Sequence, residues 1–141
     1  MNIAIETRDL FTVPQGYYLA HCISADFALG AGIAKTFDAV YNMRFKLFKE
    51  YPDYTYNGGD TLLIDNVFNL VTKPKCYHKP TYDALRQSLE TMKSMMELFA
   101  ITKLAMPKIG CGLDRLDWDI VYDIIWDVFH ETYVDILICE L

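Results

Sequence analysis

The sequence has no long apolar run and no basic start. None of its apolar stretches approaches the ~18 residues that a membrane-spanning helix needs. The opening segment, Met1–Ile5, contains no lysine or arginine of the kind that begins a secretory signal. We therefore expect a cytoplasmic protein without a membrane partner.

Cysteine is also scarce, with four residues in 141. Cys22, Cys76, Cys111 and Cys139 are too scattered to form paired zinc ligands, and a chain of this size with four cysteines has no dense disulfide framework. We expect reduced thiols and no metal site, with Cys22 and Cys139 filling the cores of strands.

An excess of basic residues is absent as well. Thirteen lysines and arginines stand against nineteen acidic residues, which gives a net charge of −6. Binding to nucleic acid by release of counterions requires a basic face, so this composition argues against general nucleic-acid binding. Nor does the sequence contain a linker, a repeat or a low-complexity segment, and its 52% hydrophobic content is that of a globular protein. We expect one monomeric domain spanning residues 1–141.

Hydrophobic periodicity predicts alternating strands and helices. Strands are expected at 1–6, 17–23, 104–106 and 133–139, a hairpin at 61–72 with a turn at Asp65-Asn66, and helices at 33–50 with a break near 39–42, from Thr81 onward and at 117–131. Such alternation predicts an α/β fold, a three-layer α/β/α sandwich around a central mixed sheet. The irregular, tyrosine-rich stretch 51–60 is assigned no role.

Two glycine-rich loops each follow a predicted strand and lead into a predicted helix. They are Gly30–Lys35 and Met106–Arg115. Glycines around one small residue allow successive backbone N–H groups to form an anion-binding nest, and the following helix adds a favourable dipole. One such loop alone is more often a tight turn, but two together favour a diphosphate ligand. The loops lack the third glycine of a dinucleotide fold and the Gly-Lys-Ser/Thr of a P-loop.

Several motifs resemble those of one known family, in the same order along the chain. They are His21–Ser24, Gly30–Ala34, Thr72–Lys73, His78–Tyr82 and Pro107–Arg115. Together they make the sequence similar to macrodomains, and most similar to the branch of the terminal ADP-ribose protein glycohydrolase, from about Asp9 to Leu141. The resemblance implies an ADP-ribose site and hydrolysis of ADP-ribose from a modified protein or nucleic acid, without a cofactor.

The resemblance also implies a catalytic pair, Lys73 and Asp114. From the residues alone, a lysine at the end of a strand is usually solvated, and Asp114 would pair with Arg115 or cap a turn. In the family the lysine of Thr-Lys is the nucleophile and the aspartate of Gly-Cys-Gly-Leu-Asp is its partner. Lys73 must attack as the neutral amine, a form that burial and nearby cationic charge would favour.

The remaining site residues follow from the same resemblance. Gly30, Gly32, Ile33 and Ala34 are expected at one phosphate; Ile109, Gly110, Cys111, Gly112 and Leu113 at the other phosphate and the distal ribose; Ser24 near that ribose; Asp9, Leu10 and Leu141 near adenine; and Thr72 is a further ligand-binding residue. The sequence departs from many macrodomains at Arg8, where they have glycine.

Two histidines and one cysteine are interpreted structurally. His21 lies inside an apolar strand and is expected to be a hydrogen-bonded core residue, and His78 is expected to brace the start of the long helix. No histidine motif partners Cys111, so we interpret Cys111 as a small nest residue rather than a nucleophile.

Three functions are compatible with these features. The first is a hydrolase that releases ADP-ribose from acidic side chains, with modified DNA bases and O-acetyl-ADP-ribose as further substrates. The second is a module that binds ADP-ribose without turnover, and the third is a phosphatase acting on ADP-ribose 1″-phosphate. The presence of both Lys73 and Asp114 favours hydrolysis.

Overall fold

The computed structural model describes residues 1–141. It contains six strands and four helices, in the order β1 (Asn2–Thr7), β2 (Tyr18–Ser24), α1 (Gly32–Tyr41), α2 (Met43–Glu50), β3 (Asp60–Ile64), β4 (Val67–Lys73), α3 (Tyr82–Leu98), β5 (Lys103–Met106), α4 (Trp118–Phe129) and β6 (Asp135–Glu140), with a short 3₁₀ turn at Leu10–Thr12. None of the helices has both the length and the apolar character that crossing a membrane requires.

The six strands form one mixed sheet in the order β1-β6-β5-β2-β4-β3. Only β3 runs antiparallel, against β4, and the other neighbouring pairs are parallel. The carboxyl ends of five strands therefore lie at the same edge of the sheet.

Helices cover both faces of the sheet. The apolar side chains of α3 recur at helical spacing, and with those of α4 they form one core against the sheet, which includes Leu85, Leu89, Met92 and Ile125. A second core on the opposite face includes Phe37 of α1 and Met43 and Leu47 of α2. The predicted three-layer α/β/α sandwich with a mixed sheet is confirmed.

The parallel strands β2 and β5 are neighbours in the sheet, but the loops that follow them go to opposite faces. The loop after β2 leads to α1 on one face, whereas the loop after β5 leads to α4 on the other. Loops that leave adjacent parallel strands toward opposite faces separate and open a crevice between them, where ligands bind in open α/β sheets. Both glycine-rich loops border this crevice.

Most of the predicted element boundaries lie within one residue of the observed ones. The helical region breaks at Asn42, whose φ is 54°, within the predicted interval. Thr81 and Asp117 cap α3 and α4 by accepting from the backbone N–H groups of Ala84 and Asp119. The last strand begins at Asp135 rather than at 133, and residues 133–134 belong to the irregular connection that precedes it.

The tyrosine-rich stretch 51–60 packs on the face of the sheet that α1 and α2 cover, and it does not line the crevice. Tyr51, Tyr54 and Tyr56 contact the core on the α1 and α2 face. The Tyr56 hydroxyl donates to the carbonyl of Thr72 at 3.3 Å. This stretch therefore contacts the end of β4 through the Tyr56 hydroxyl.

Candidate functional site

The crevice contains a cavity of about 950 Å³. Its lining includes eleven of the sixteen residues predicted for the site, namely Ser24, Gly30, Gly32, Ile33, Ala34, Lys73, Ile109, Gly110, Gly112, Leu113 and Asp114. Loops from both sides of the crevice and the end of β4 therefore meet around one space.

The first glycine loop delivers the start of α1 to the cavity. Gly32 has a φ of +59°, a left-handed conformation that glycine adopts without strain, and it is the first residue of the helix. The residue before it, Ala31, provides no side-chain hydrogen bond to the helix. The first N–H groups of α1 thus lack a capping side chain at the point where the helix dipole is positive, which suits an anion.

The two glycines of the second loop differ in the space around them. Gly110 has a φ of +72°, and a Cβ there would lie 2.8 Å from Cδ1 of Leu116, whereas a Cβ at Gly112 would meet no atom within 4 Å. The amides of Cys111, Arg115 and Leu116 are used within the loop, but those of residues 112–114 have no backbone partner. These three consecutive amides are therefore available to an anionic ligand.

The two loops come close across the crevice. Cδ1 of Leu113 lies 3.3 Å from the position that a Cβ on Gly32 would occupy. Any side chain at position 32 would therefore press against Leu113.

Lys73 and Asp114 contact each other in the lining of the cavity. The Nζ of Lys73 lies 2.6 Å from Oδ1 of Asp114, and it also donates to the carbonyl of Cys76 at 3.0 Å. The two side chains are only 13% and 18% exposed. We expected burial and a cationic neighbour for Lys73; the burial is present, but its ionic partner is an anion. The amine and the carboxylate are therefore in direct hydrogen-bond contact within the cavity lining.

The cysteines beside the pair are unsuited to nucleophilic attack. Cys22 was expected in a strand core, but it is only half-buried and lines the cavity. Burial, with the charge of Asp114, raises the pKa of its thiol to about 12, although the Thr72 hydroxyl opposes the shift. Burial likewise raises the pKa of Cys111 to about 11. Both thiols stay protonated near neutral pH, when they are poor nucleophiles.

Five predicted site residues do not line the cavity. Asp9 accepts from the N–H of Phe11 at 3.0 Å and so begins the 3₁₀ turn. Leu10 and Thr72 are buried, Cys111 is half-buried and Leu141 is 97% exposed. Arg8, where the family pattern has glycine, donates its N–H to the carbonyl of Glu140 and continues the pairing of β1 with β6.

Sequence reasoning missed the segment between β4 and α3. Cys76, Tyr77, His78 and Lys79 line the cavity. The expected bracing role of His78 is not what the structure shows, because His78 is exposed at the rim and its ring packs edge-on against Tyr77 at 4.6 Å between ring centroids. The signal for this placement was the pair Pro74 and Pro80, which bound a short connection close to Lys73.

The cavity is basic within an acidic protein. Its lining contains the four cations Lys73, Lys79, Lys108 and Arg115 and the single anion Asp114. Lys108 also pairs with Glu140 at 2.7 Å. A local excess of positive charge favours an anionic ligand even though the whole chain carries −6. The structure contains no group of three or more histidine, cysteine, aspartate or glutamate side chains arranged to hold a metal ion.

Curated proteins and solved structures resemble this chain, although no protein-family model matches it. The sequence is 41% identical over 137 residues to the protein named ADP-ribose glycohydrolase OARD1 from Bos taurus and 39% identical to the one from Homo sapiens. Each match covers 94% of this chain and 88% of the relative.

The fold resembles those of bacterial macrodomains. The macrodomains of DarG from Thermus aquaticus and Mycobacterium tuberculosis both superpose with a TM-score of 0.87, at 17% and 20% identity, covering 99% of this chain and 98% and 97% of theirs. The Thermosipho africanus DarTG structure, solved in complex with ADP-ribose, superposes with a TM-score of 0.77 at 16% identity, covering 99% of this chain and 42% of that one.

Proposed function

The chain belongs to the macrodomain family, together with the ADP-ribose glycohydrolase OARD1, and from this membership we propose that it is an ADP-ribosyl hydrolase that releases ADP-ribose from modified targets. The observation that supports the proposal best is the contact of 2.6 Å between Lys73 and Asp114 inside a basic cavity between two glycine loops. An amine and a carboxylate in direct contact can exchange a proton, which a site that only binds ADP-ribose does not need.

The two loops define where the diphosphate would bind. One phosphate is assigned to the uncapped start of α1 at Gly32, and the other to the free amides of residues 112–114. Backbone N–H groups bind phosphate oxygens without a side chain, and a helix N-terminus adds to their potential. The distal ribose would then lie against Lys73 and Asp114, and adenine at the far end, toward Asp9 and Leu10.

The first chemical step would form a covalent adduct. Lys73 passes a proton to Asp114, and its neutral Nζ attacks the anomeric C1″ of the distal ribose. The bond from Nζ to C1″ forms, the bond from C1″ to the acyl oxygen breaks, and the electron pair leaves with the carboxylate of the target. The proton held by Asp114 is available to that leaving group.

The second step would release the product. Asp114, again a carboxylate, accepts a proton from a water molecule, and the oxygen of that water attacks C1″. The bond from Nζ to C1″ breaks, and Lys73 recovers its proton. One water is consumed, and free ADP-ribose and the unmodified target leave. Asp114 thus acts in both steps, first as an acid and then as a base.

The substrate is best established by direct comparison. ADP-ribosylated glutamate peptide, ADP-ribosylated DNA and ADP-ribose 1″-phosphate are incubated in parallel with the protein, and free ADP-ribose is measured. We expect release from the glutamate ester first, with modified bases as a second class. Release from the 1″-phosphate alone would establish a phosphatase, and binding of ADP-ribose without any release would establish a binding module.

The covalent step has its own test in Asp114→Ala. This variant keeps the amine but lacks the group that activates water, so it should form the adduct slowly and retain it. Intact-mass spectrometry should show one ADP-ribosyl unit per chain, mapped to Lys73, and none in the variant that lacks both groups. An adduct mapped to another residue would contradict the assignment of the nucleophile.

A further inference from the structure

Asp26, in the loop after β2, joins two segments that are distant in sequence. Its Oδ1 accepts from the hydroxyl of Ser24 at 2.5 Å and from the N–H of Ala28 at 3.2 Å. Its Oδ2 accepts from the N–H of Cys76 at 3.0 Å, fifty residues further along the chain. One carboxylate thus connects the loop that leads to Gly30 with the segment that follows β4.

The carbonyl of Cys76, on the other side of the same residue, accepts from Nζ of Lys73 at 3.0 Å. The strands on either side are tied together as well, because the N–H of Ala25 donates to the carbonyl of Lys73 at 2.9 Å. A continuous series of contacts therefore runs from Asp26 through Cys76 and Lys73 to Asp114.

We propose that Asp26 is a positioning residue for the reaction: by holding the N–H of Cys76, it keeps the carbonyl of that residue against Nζ of Lys73 and so directs the amine toward the cavity. This inference rests on the proposed function, in which Lys73 is the nucleophile. Asp26 itself does not line the cavity and does not contact the reacting atoms.

The geometry of Lys73 gives this contact its importance. An ammonium group has three N–H donors, and two of those on Lys73 are directed to Asp114 and to the carbonyl of Cys76. The proton passed to Asp114 leaves the lone pair of Nζ facing Asp114, and rotation about the N–H bond held by the Cys76 carbonyl can then turn this lone pair toward the ligand. Without that carbonyl the position of Nζ is not fixed, and a displacement of about 1 Å between reacting groups can reduce a rate by about 100-fold.

Asp26 is suited to this anchoring role because it is held as an anion. Burial alone would raise its pKa, but hydrogen bonds from Ser24, Cys76 and Ala28 outweigh burial and hold the pKa below its usual range. Hydrogen bonds to an ionised carboxylate are stronger than those between neutral groups. The amide of Cys76 is therefore held firmly throughout the neutral pH range.

The substitution Asp26→Asn separates the two halves of the contact. Two donors, from Ser24 and Ala28, point at one oxygen, and one donor, from Cys76, points at the other. The single oxygen of asparagine should stay with the two donors, which places its NH₂ group against the N–H of Cys76. The loop toward Gly30 is then retained while the link to Cys76 is broken.

A second variant removes the same link from the other side. Cys76 is the second residue of a turn closed by the N–H of His78 and the carbonyl of Lys75 at 3.0 Å, a position that accepts proline. Cys76→Pro lacks the N–H that Asp26 holds, and Cys76→Ala, which lacks only the thiol, is its reference. The matched control for Asp26→Asn is Asp38→Asn, because the carboxylate of Asp38 also accepts a backbone N–H, that of Arg44, outside the cavity.

The experiment measures kcat on the best substrate and the Kd for ADP-ribose. We expect kcat to fall about 10- to 100-fold in Asp26→Asn relative to wild type, and by a similar factor in Cys76→Pro relative to Cys76→Ala. The Kd should stay within about threefold, and Asp38→Asn should match wild type.

Three results would overturn this inference. They are an unchanged kcat, a loss confined to one of the two variants, and a loss of ADP-ribose binding in parallel with kcat, which would reduce Asp26 to a support of the loop. Failure of the proposed function is a different result, in which the wild type itself releases no ADP-ribose or Lys73→Ala remains fully active.

Discussion

Strand β4 contributes to two polar pairs of equal length and opposite character. Near its middle, Oδ1 of Asn69 lies 2.6 Å from Nε2 of His21 on β2, and at its end Nζ of Lys73 lies 2.6 Å from Oδ1 of Asp114. The first pair is completely buried, with the ring of His21 stacked on Phe37 at 3.9 Å, whereas the second opens onto the cavity. The two polar pairs therefore have the same contact distance but differ in their access to solvent.

Solvent access determines what each pair can do. Burial lowers the pKa of His21 to about 4, and the hydrogen bond that its ring donates to Asn69 only partly offsets this shift, so the ring is neutral in the folded protein near pH 7. Lys73 and Asp114 remain close to the water and ligand space, where a proton can move and a substrate can enter. The buried pair contributes to stability, and the open pair is the one available for chemistry.

The largest expected effect comes from breaking the open pair. Lys73→Ala should reduce turnover by about 10³-fold or more, because no other group is proposed to form the adduct. It should still bind ADP-ribose through the two loops and keep the thermal stability of the wild type. Lys49→Ala, at an exposed lysine on α2, is the control. Full activity in Lys73→Ala would refute covalent catalysis and leave direct attack by water assisted by Asp114.

Sequence patterns predicted the helices and strands that carry these two pairs, because apolar spacing and proline act on the local backbone. Apolar spacing predicted α3, and Pro74, which follows the lysine directly, favoured an extended Lys73 at the end of β4. The contact between Lys73 and Asp114 spans 41 residues and that between Asp26 and Cys76 spans 50. Periodicity does not encode such contacts. The first was suggested only by the family resemblance, and the second became visible only in the structure.

The second effect is on the buried pair and depends on pH. The pKa of His21 is about 4 in the folded protein and about 6.5 when unfolded, so the unfolded state binds the extra proton between these values. Stability should therefore fall as pH decreases from about 6.5 to 4, by roughly 3 kcal/mol from this group. Urea unfolding at several pH values measures the slope.

The control for the pH effect is His21→Leu. It should be less stable at pH 7, because the buried oxygen of Asn69 loses its partner. Its stability should nevertheless depend less on pH between about 6.5 and 4, since carboxylates contribute equally to both proteins. Identical slopes in the two proteins would show that His21 does not titrate in this window.

A third, smaller effect concerns stability and distinguishes the two glycines of the second loop. Gly110→Ala should lower stability by about 1–2 kcal/mol, because its left-handed backbone disfavours a side chain and the added Cβ would press on Leu116. Gly112→Ala meets no atom and should leave stability unchanged. Thermal melts of the two variants measure this difference.

The open glycine should instead control binding. Gly112→Val introduces a branched side chain into the open space beside the free amides of residues 112–114, where a phosphate would bind. Calorimetry should therefore show ADP-ribose binding weakened from the wild-type range, near micromolar or about −8 kcal/mol, to below detection. Normal binding by this variant would mean that the second phosphate is not held by residues 112–114.

The smallest expected effect is that of a chelator. The proposed steps need only the amine of Lys73, the carboxylate of Asp114 and water, and the phosphates are assigned to backbone amides rather than to a bound cation. Incubation with excess EDTA followed by assay of ADP-ribose release should therefore leave kcat unchanged. A loss of turnover in EDTA that magnesium restores, with Lys73→Ala still binding ADP-ribose, would mean that a cation shares the work assigned to the open pair. In that case the contrast between the two pairs would still describe their stability but no longer their chemistry.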